Sequence, residues 1–283
     1  MTDEPQARID WLASYPKSGN TWMRMLLANY FSEKDAPHDI NGPGVVNRMV
    51  ASRAMFDEVT GIASADLTPE EADSLMPVML GLLVAEAKEP IWLKVHDALW
   101  RLPDGRWRLP PAVSGVAVYI LRNPLDVAVS IAFHDAIGIE ASVRGLCDPA
   151  AAMPGTATVH LRQRLGDWSQ HVESWVDQTE IPVLAVRYED MLANPARELE
   201  RVIRFARPEV PIQPSRLAKA VSAASFDKLR DMEREGGFRA RNVRQNAFFR
   251  GGRAGDWRNH LTDDQARRIR EHHFRMMRRF GYD

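Results

Sequence analysis

Four short apolar runs, each followed by a stretch with helical spacing, restrict this chain more than any other feature of its sequence. Residues 9–14, 91–95, 115–121 and 181–187 are bounded by turn residues or charge, and the last three are rich in β-branched side chains, which is how buried strands read. Helical spacing covers 21–31, 67–88, 125–134, 159–176, 196–205 and 262–280. In the first of these, Trp22, Met25, Leu26 and Tyr30 fall on overlapping faces. Thr68-Pro69-Glu70-Glu71 caps the second with proline at its first position, and Thr262-Asp263-Asp264-Gln265 has the capping-box pattern. Strands alternating with helices predict an α/β fold, a mainly parallel central sheet flanked by helices. Residues 1–283 read as one domain without repeats or linkers, and that length is enough to bury a full core.

Ligands of such sheets gather at the carboxyl ends of the strands. The first run leads through Ser14-Tyr15-Pro16-Lys17-Ser18-Gly19-Asn20-Thr21-Trp22 straight into a helix. This is a P-loop-like strand–loop–helix phosphate site: unpaired amides and the positive end of the helix dipole converge on one point. Gly19 lets backbone approach an anion, Ser18, Asn20 and Thr21 offer donors, and Lys17 adds a charge. It is not a Walker A loop, because the lysine precedes its glycine and no Gly-Lys pair exists. The third run ends in Arg122-Asn123-Pro124, with Ser130 two turns into the next helix. An arginine fork and a hydroxyl aimed at one spot suit a second phosphate; the plain alternative is a surface pair of Arg122 with Asp126. Lys94 and His96, at the end of the second run, share a strand face and bring a cation and a base to the same edge.

These motifs resemble the sulfotransferases that use 3′-phosphoadenosine-5′-phosphosulfate (PAPS), of the cytosolic type and in a bacterial-looking member. Lys17 to Trp22 resembles their 5′-phosphosulfate loop, Arg122 to Ser130 their 3′-phosphate element, and Arg250-Gly251-Gly252-Arg253-Ala254-Gly255-Asp256-Trp257 their closing loop with its Gly-Asp-Trp core. The three lie in the family's order and span nearly the whole chain. The resemblance implies that Lys17, Ser18, Gly19, Asn20, Thr21 and Trp22 hold the 5′ end and the adenine side, and that Arg122 and Ser130 hold the 3′-phosphate. Tyr188 and Phe226 would lie beside the adenine, with Phe248, Phe249, Arg250 and Gly252 in a covering loop over 234–259. Lys94-Val95-His96 resembles the family's Lys-x-His element, which makes His96 the general base. An imidazole near its ordinary pKa of ~6.5 accepts a proton well at neutral pH. Lys17 and Lys94 would stabilise charge on the transferring group. The expected reaction takes PAPS to adenosine 3′,5′-bisphosphate (PAP) and needs no metal. Two positions depart from the pattern. Asn20 stands where many members have threonine, and Gly251 where many have lysine, a cation that Arg253 or Arg244 could replace.

Other features read plainly. Cys147 is the only cysteine, which excludes an intrachain disulfide or multi-cysteine metal site, and His272-His273 lacks a partner at His-Glu-x-x-His spacing, so no metal is expected. The net charge of -1 gives no pull toward nucleic acid, and the arginines from 267 to 279 read as a solvated face. Residues 1–8 lack signal-peptide order, and the longest apolar stretch, 75–87, is short and broken by Pro77, so a cytoplasmic protein without membrane insertion is expected. The acceptor should be a small molecule bearing a hydroxyl or an amine, in a pocket lined by 37–56, 76–83 and 134–153. A homodimer is left open. Two rivals are a nucleotide kinase using the first loop for ATP and a non-catalytic nucleotide binder. The missing Gly-Lys pair counts against the first, and Lys94 with His96 against the second.

Overall fold

A computed structural model describes residues 7–34, 36–241 and 247–282. Readings that fell on residues 1–6, on Arg244 and on the 242–246 part of the covering loop lie outside them. The chain runs β1 (Ile9–Ser14), α1 (Asn20–Phe31), β2 (Arg48–Met49), α2 (Arg53–Thr60), α3 (Pro69–Ala85), β3 (Ile91–Val95), β4 (Ser114–Leu121), α4 (Pro124–Asp135) and α5 (Ile139–Leu146). It continues with β5 (Ala152–Met153), β6 (Gln163–Arg164), α6 (Trp168–Val176), β7 (Val183–Arg187), α7 (Tyr188–Ala193), α8 (Pro195–Ala206), α9 (Pro214–Ala223), α10 (Phe226–Gly236) and α11 (Asp263–Arg279).

Five strands form one sheet in the order β2-β3-β1-β4-β7, every pairing parallel, while β5 and β6 make a separate antiparallel pair. Alternate side chains enter two cores. Trp11, Ala13, Leu93, Val95, Tyr119 and Leu121 face the core shared with α2 to α6 and α11, whereas Leu12, Trp92, Val118 and Ile120 face the core shared with α1 and α7 to α10. Burial on both faces is why these strands read as unbroken apolar runs. Ala13 pairs with Val95, Ser14 with Ile120 and Leu121 with Arg187, so four strands end level. The chain leaves β1 toward β3 and returns on its other side as β4, which places a switch point beside β1 at that edge.

The caps at Thr68 and Thr262 both form complete capping boxes. The helix expected over 159–176 is a correction: only Trp168–Val176 is helical. Before it, Leu161 donates its N–H to the Ala51 carbonyl, and Gln163–Arg164 pairs as β6. Gly166 turns the chain with a φ of 66°, and Asp167 with Gln170 then closes a capping box. Tertiary pairing thus overrides apolar spacing in the first half. The covering loop also begins later than 234, because α10 runs to Gly236. Among the described residues no helix is long and apolar enough to cross a membrane.

Candidate active site

Each of the four level strand ends delivers a chemically active side chain within three residues: Lys17 after β1, His96 after β3, Arg122 after β4 and Tyr188 after β7. The loop after β1 is shaped by two residues in the left-handed region, Lys17 with φ 68° and Gly19 with φ 108°. A side chain at Gly19 would also collide with Tyr188, whose Cδ2 lies 2.6 Å from where a Cβ would stand. The Gly19 carbonyl accepts from the N–H groups of Trp22 and Met23 and so opens α1. Thr21 and Trp22 are half-buried in that first turn, and the indole of Trp22 donates to the Ala224 carbonyl at 2.9 Å. Asn20 turns its amide back into the sheet, donating to the Leu12 carbonyl at 2.9 Å and to the Ser14 hydroxyl at 3.3 Å. Its side chain therefore braces the loop, and its main-chain N–H is the donor it has to offer.

His96 is buried, with Nδ1 2.8 Å from the Ser14 carbonyl and 3.2 Å from the Ser14 hydroxyl. Burial and then Lys94 hold its pKa well below the ordinary histidine value, with His171 and Lys17 adding to the effect against the bond to Ser14. Behind it, the His96 carbonyl lies 2.9 Å from Nε2 of His171, whose Nδ1 meets the Tyr119 hydroxyl at 2.8 Å. Lys94 is lowered to about 8 by burial and then by Arg24, and Lys17 to about 7 by burial and then by Lys94. Asp135 and Glu233 pull Lys17 the other way. Two depressed ammonium groups at one sheet edge are what an anion relieves.

Arg122 lies across the same edge. Its guanidinium donates to the carbonyls of Lys17 at 3.3 Å and Arg253 at 3.1 Å and packs 4.4 Å from the Tyr188 ring centroid. The alternative pairing with Asp126 does not form: that carboxylate is buried and accepts the N–H groups of Gly255 at 2.7 Å and Trp257 at 3.0 Å. Nε of Arg122 and Oγ of Ser18 are buried without a hydrogen-bond partner among the described residues, which leaves each with capacity for a polar ligand. Ser130 is half-buried two turns into α4. Tyr188 packs edge-on against Trp22 at 5.8 Å. Phe226 lies so close over Gly252, which has φ 59°, that a side chain there would run into the ring.

The covering segment is fastened by carboxylates. Glu233, buried on α10, accepts the N–H groups of Phe248 at 2.7 Å and Phe249 at 3.0 Å. The Phe248 ring then sits 3.9 Å from the Lys17 ammonium. Arg250 donates to Asp256 at 2.8 Å and stacks 4.1 Å from Phe133, on the exposed side of the segment. Sequence reasoning missed Ser14, Asp126, His171 and Glu233. Asp126 carried a usable signal, an acid one turn into a helix that directly follows a site residue. Glu233 and His171 carried none, because their partners lie 15 and 75 residues away. In the segments expected to line the acceptor pocket, Val50, Ala51, Met55, Phe56, Met76, Met79, Leu80, Val143 and Leu146 are buried and belong to the core cluster on that face of the sheet.

Taken together, a strained loop with open amides, a buried imidazole held neutral and two cations at one sheet edge suit a group transferase that handles an anionic donor. A Sulfotransferase domain matches residues 10–281, and the chain belongs to the sulfotransferase family. It is an enzyme of sulfuryl transfer. Sulfotransferase 1B1 of the dog, Canis lupus familiaris, is 27% identical over 266 residues, 89% of this chain and 77% of the relative. Among solved structures, mouse sulfotransferase SULT7A1 complexed with PAP superposes with a TM-score of 0.59 at 22% identity, over 96% of this chain and 85% of that one. Retinol dehydratase in a complex with retinol and PAP gives 0.61 at 17% identity, over 95% and 81%. Likeness at these identities concerns the fold.

Proposed function

We propose that the chain transfers the sulfuryl group of PAPS to the hydroxyl, or an amine, of a small organic molecule, releasing PAP and the sulfated product. The observation that carries this is the bond from His96 Nδ1 to the Ser14 carbonyl, 2.8 Å long, at an edge shared with Lys17 and Lys94. Because a carbonyl only accepts, Nδ1 carries the proton and Nε2 keeps its lone pair. As the acceptor oxygen forms its bond to sulfur, its proton passes to Nε2 of His96, and the S–O bond to the 5′-phosphate breaks. Lys17 and Lys94 stabilise the charge that gathers on the transferring group and the departing phosphate oxygen. The loop of Lys17, Ser18, Gly19, Asn20, Thr21 and Trp22 holds the 5′ end, and Arg122 with Ser130 the 3′-phosphate. Tyr188 and Phe226 flank the adenine, and Phe248, Phe249, Arg250 and Gly252 close over it. The chemistry calls for no metal.

Of the two arginines that could replace the lysine missing at Gly251, Arg253 packs beside that position, its Cγ 3.9 Å from where a Gly251 Cβ would be, and Arg244 lies outside the described residues. The relatives' PAP complexes support the donor, the ordinary charge balance supports an enzyme that does not engage nucleic acid, and kinship with a cytosolic sulfotransferase supports a cytoplasmic one. A homodimer is compatible with this reading. Calorimetric titration with PAP and with ADP, which lacks the 3′-phosphate, tests it. Losing two charge-assisted bonds should cost roughly 3 kcal/mol, on the order of 100-fold in affinity, and Arg122→Ala should remove the difference. Equal affinity for PAP and ADP in the unaltered protein would sink the proposal.

A further inference from the structure

Away from the sheet edge, the fold assembles a second cluster of groups with no part in sulfuryl transfer. Cys147, at the carboxyl end of α5, and His272 and His273, on α11, bring a sulfur and two imidazoles together with their ligand atoms all within 4.8 Å of one another. The Cys147 sulfur is 3.7 Å from Nε2 of His273. A tetrahedral zinc ion, with Zn–S near 2.3 Å and Zn–N near 2.0–2.1 Å, separates such atoms by about 3.5 Å.

We propose that Cys147, His272 and His273 form a binding site for a borderline-soft divalent cation, Zn²⁺ above all, that ties α5 to α11. The surrounding groups fit that role. Nδ1 of the buried His273 meets the Ser169 hydroxyl at 2.9 Å, which turns Nε2 toward the sulfur. Nε2 of His272 meets the Asp167 carboxylate at 3.3 Å, a further oxygen donor beside the cluster. Outer contacts of this kind orient imidazole ligands. A sulfur with two imidazoles selects Zn²⁺ over Mg²⁺ or Ca²⁺, which take oxygen. The cluster opens on a cavity of about 540 Å³ lined by Val143, Arg144, Cys147, Arg268, Glu271 and His272, which gives the ion a way in and water as a remaining ligand. The two arginines there have acidic partners, Arg144 in Glu140 and Arg268 in Glu140 and Asp264. The Cys147 thiol is half-buried at the mouth of this cavity. Spacing along α11 offered the histidine pair no partner; the tertiary fold supplies one 126 residues away from His273.

The test is titration of the untagged full chain with Co²⁺, read by its thiolate charge-transfer band and tetrahedral d–d bands, followed by displacement with Zn²⁺. One ion should bind per chain. Cys147→Ala should abolish the charge-transfer band, and His272→Ala, at an exposed position, should weaken binding by at least the ~10- to 100-fold that loss of an outer partner costs. Zn²⁺ should raise the melting temperature of the unaltered chain and not of Cys147→Ala, while both variants keep their transferase activity. No band in the unaltered chain, or the same band in both variants, overturns the proposal.

Discussion

Nδ1 of His96 lies 2.8 Å from the main-chain carbonyl of Ser14, the last residue of the central strand. The bond does not depend on the Ser14 side chain, so the strand itself fixes the imidazole tautomer and leaves Nε2 as the basic atom. Removing that base should cost on the order of 10² to 10⁴ in kcat. We expect His96→Gln to lose that much while calorimetric PAP affinity stays within a few-fold of the unaltered enzyme. A matching collapse of PAP binding would mean that the imidazole builds the donor site and does no proton transfer.

The pH profile follows from the depressed pKa of His96. A base is active while unprotonated, and burial with Lys94 keeps this one unprotonated well below the ordinary 6.5. At saturating donor, kcat should therefore hold steady as pH falls from 8 to about 6.5 and drop only further into acid. An acid limb centred at or above 6.5 that vanishes in His96→Gln would contradict the environment described for this residue.

Lys17 predicts the opposite dependence for binding. Its ammonium has a pKa of about 7 in the free enzyme, and an anion favours the charged form and so raises that value. Below 7 the charge is already present. Above 7, binding must take up a proton, so PAP affinity should fall by up to about tenfold per pH unit until the pKa of the complex is reached. Calorimetry from pH 7 to 9 in buffers of different ionisation heat measures both the slope and the proton. Lys17→Met should remove the slope between pH 7 and 8, leave only what Lys94 adds near 8 and above, and bind more weakly throughout; a flat profile in the unaltered enzyme would refute the assignment.

Most of the frame was legible in the sequence because parallel strands are buried on both faces and read as continuous apolar runs. Residues that follow such runs directly, Lys17, His96, Arg122 and Tyr188, could be found by position alone. β2 could not, since Arg48–Met49 is two residues long and pairs only through Leu93 and Lys94. The false helix over 159–167 shows the same limit from the other side, because its spacing is overruled by distant pairing with Ala51 and β5. Asn20 shows a third kind of gap. Its residue type suggested a ligand donor, and only the fold reveals that its amide is bound to Leu12 and Ser14.

Gly19 tests how closely the loop is built. Its φ of 108° disfavours any side chain, and the Tyr188 ring occupies the space a methyl group would need. Gly19→Ala should destabilise the protein by about 1–3 kcal/mol, seen as an earlier urea midpoint, and weaken PAP binding. Adding Tyr188→Ala removes the collision and leaves the backbone strain, so the double variant should be strained less than the sum of the two single changes implies. Strict additivity would show that the ring and the loop are not in contact.

Glu233 ties the closing segment to the site without facing the donor. Its two oxygens receive the N–H groups of Phe248 and Phe249, and the Phe248 ring in turn covers the Lys17 ammonium. Bonds to a buried carboxylate are each worth roughly 1.5–3 kcal/mol, and glutamine can accept only one of the pair while offering its NH₂ to the other. Glu233→Gln should therefore loosen the segment, raise the PAP dissociation constant about tenfold or more, and speed tryptic cleavage after Arg250 and Arg253. Once the site is saturated with donor the segment is held by its ligand, so kcat should stay within a few-fold. If kcat falls as far as affinity does, Glu233 supports the reacting groups through Lys17, whose charge it favours; if neither affinity nor cleavage changes, the segment is held by other contacts.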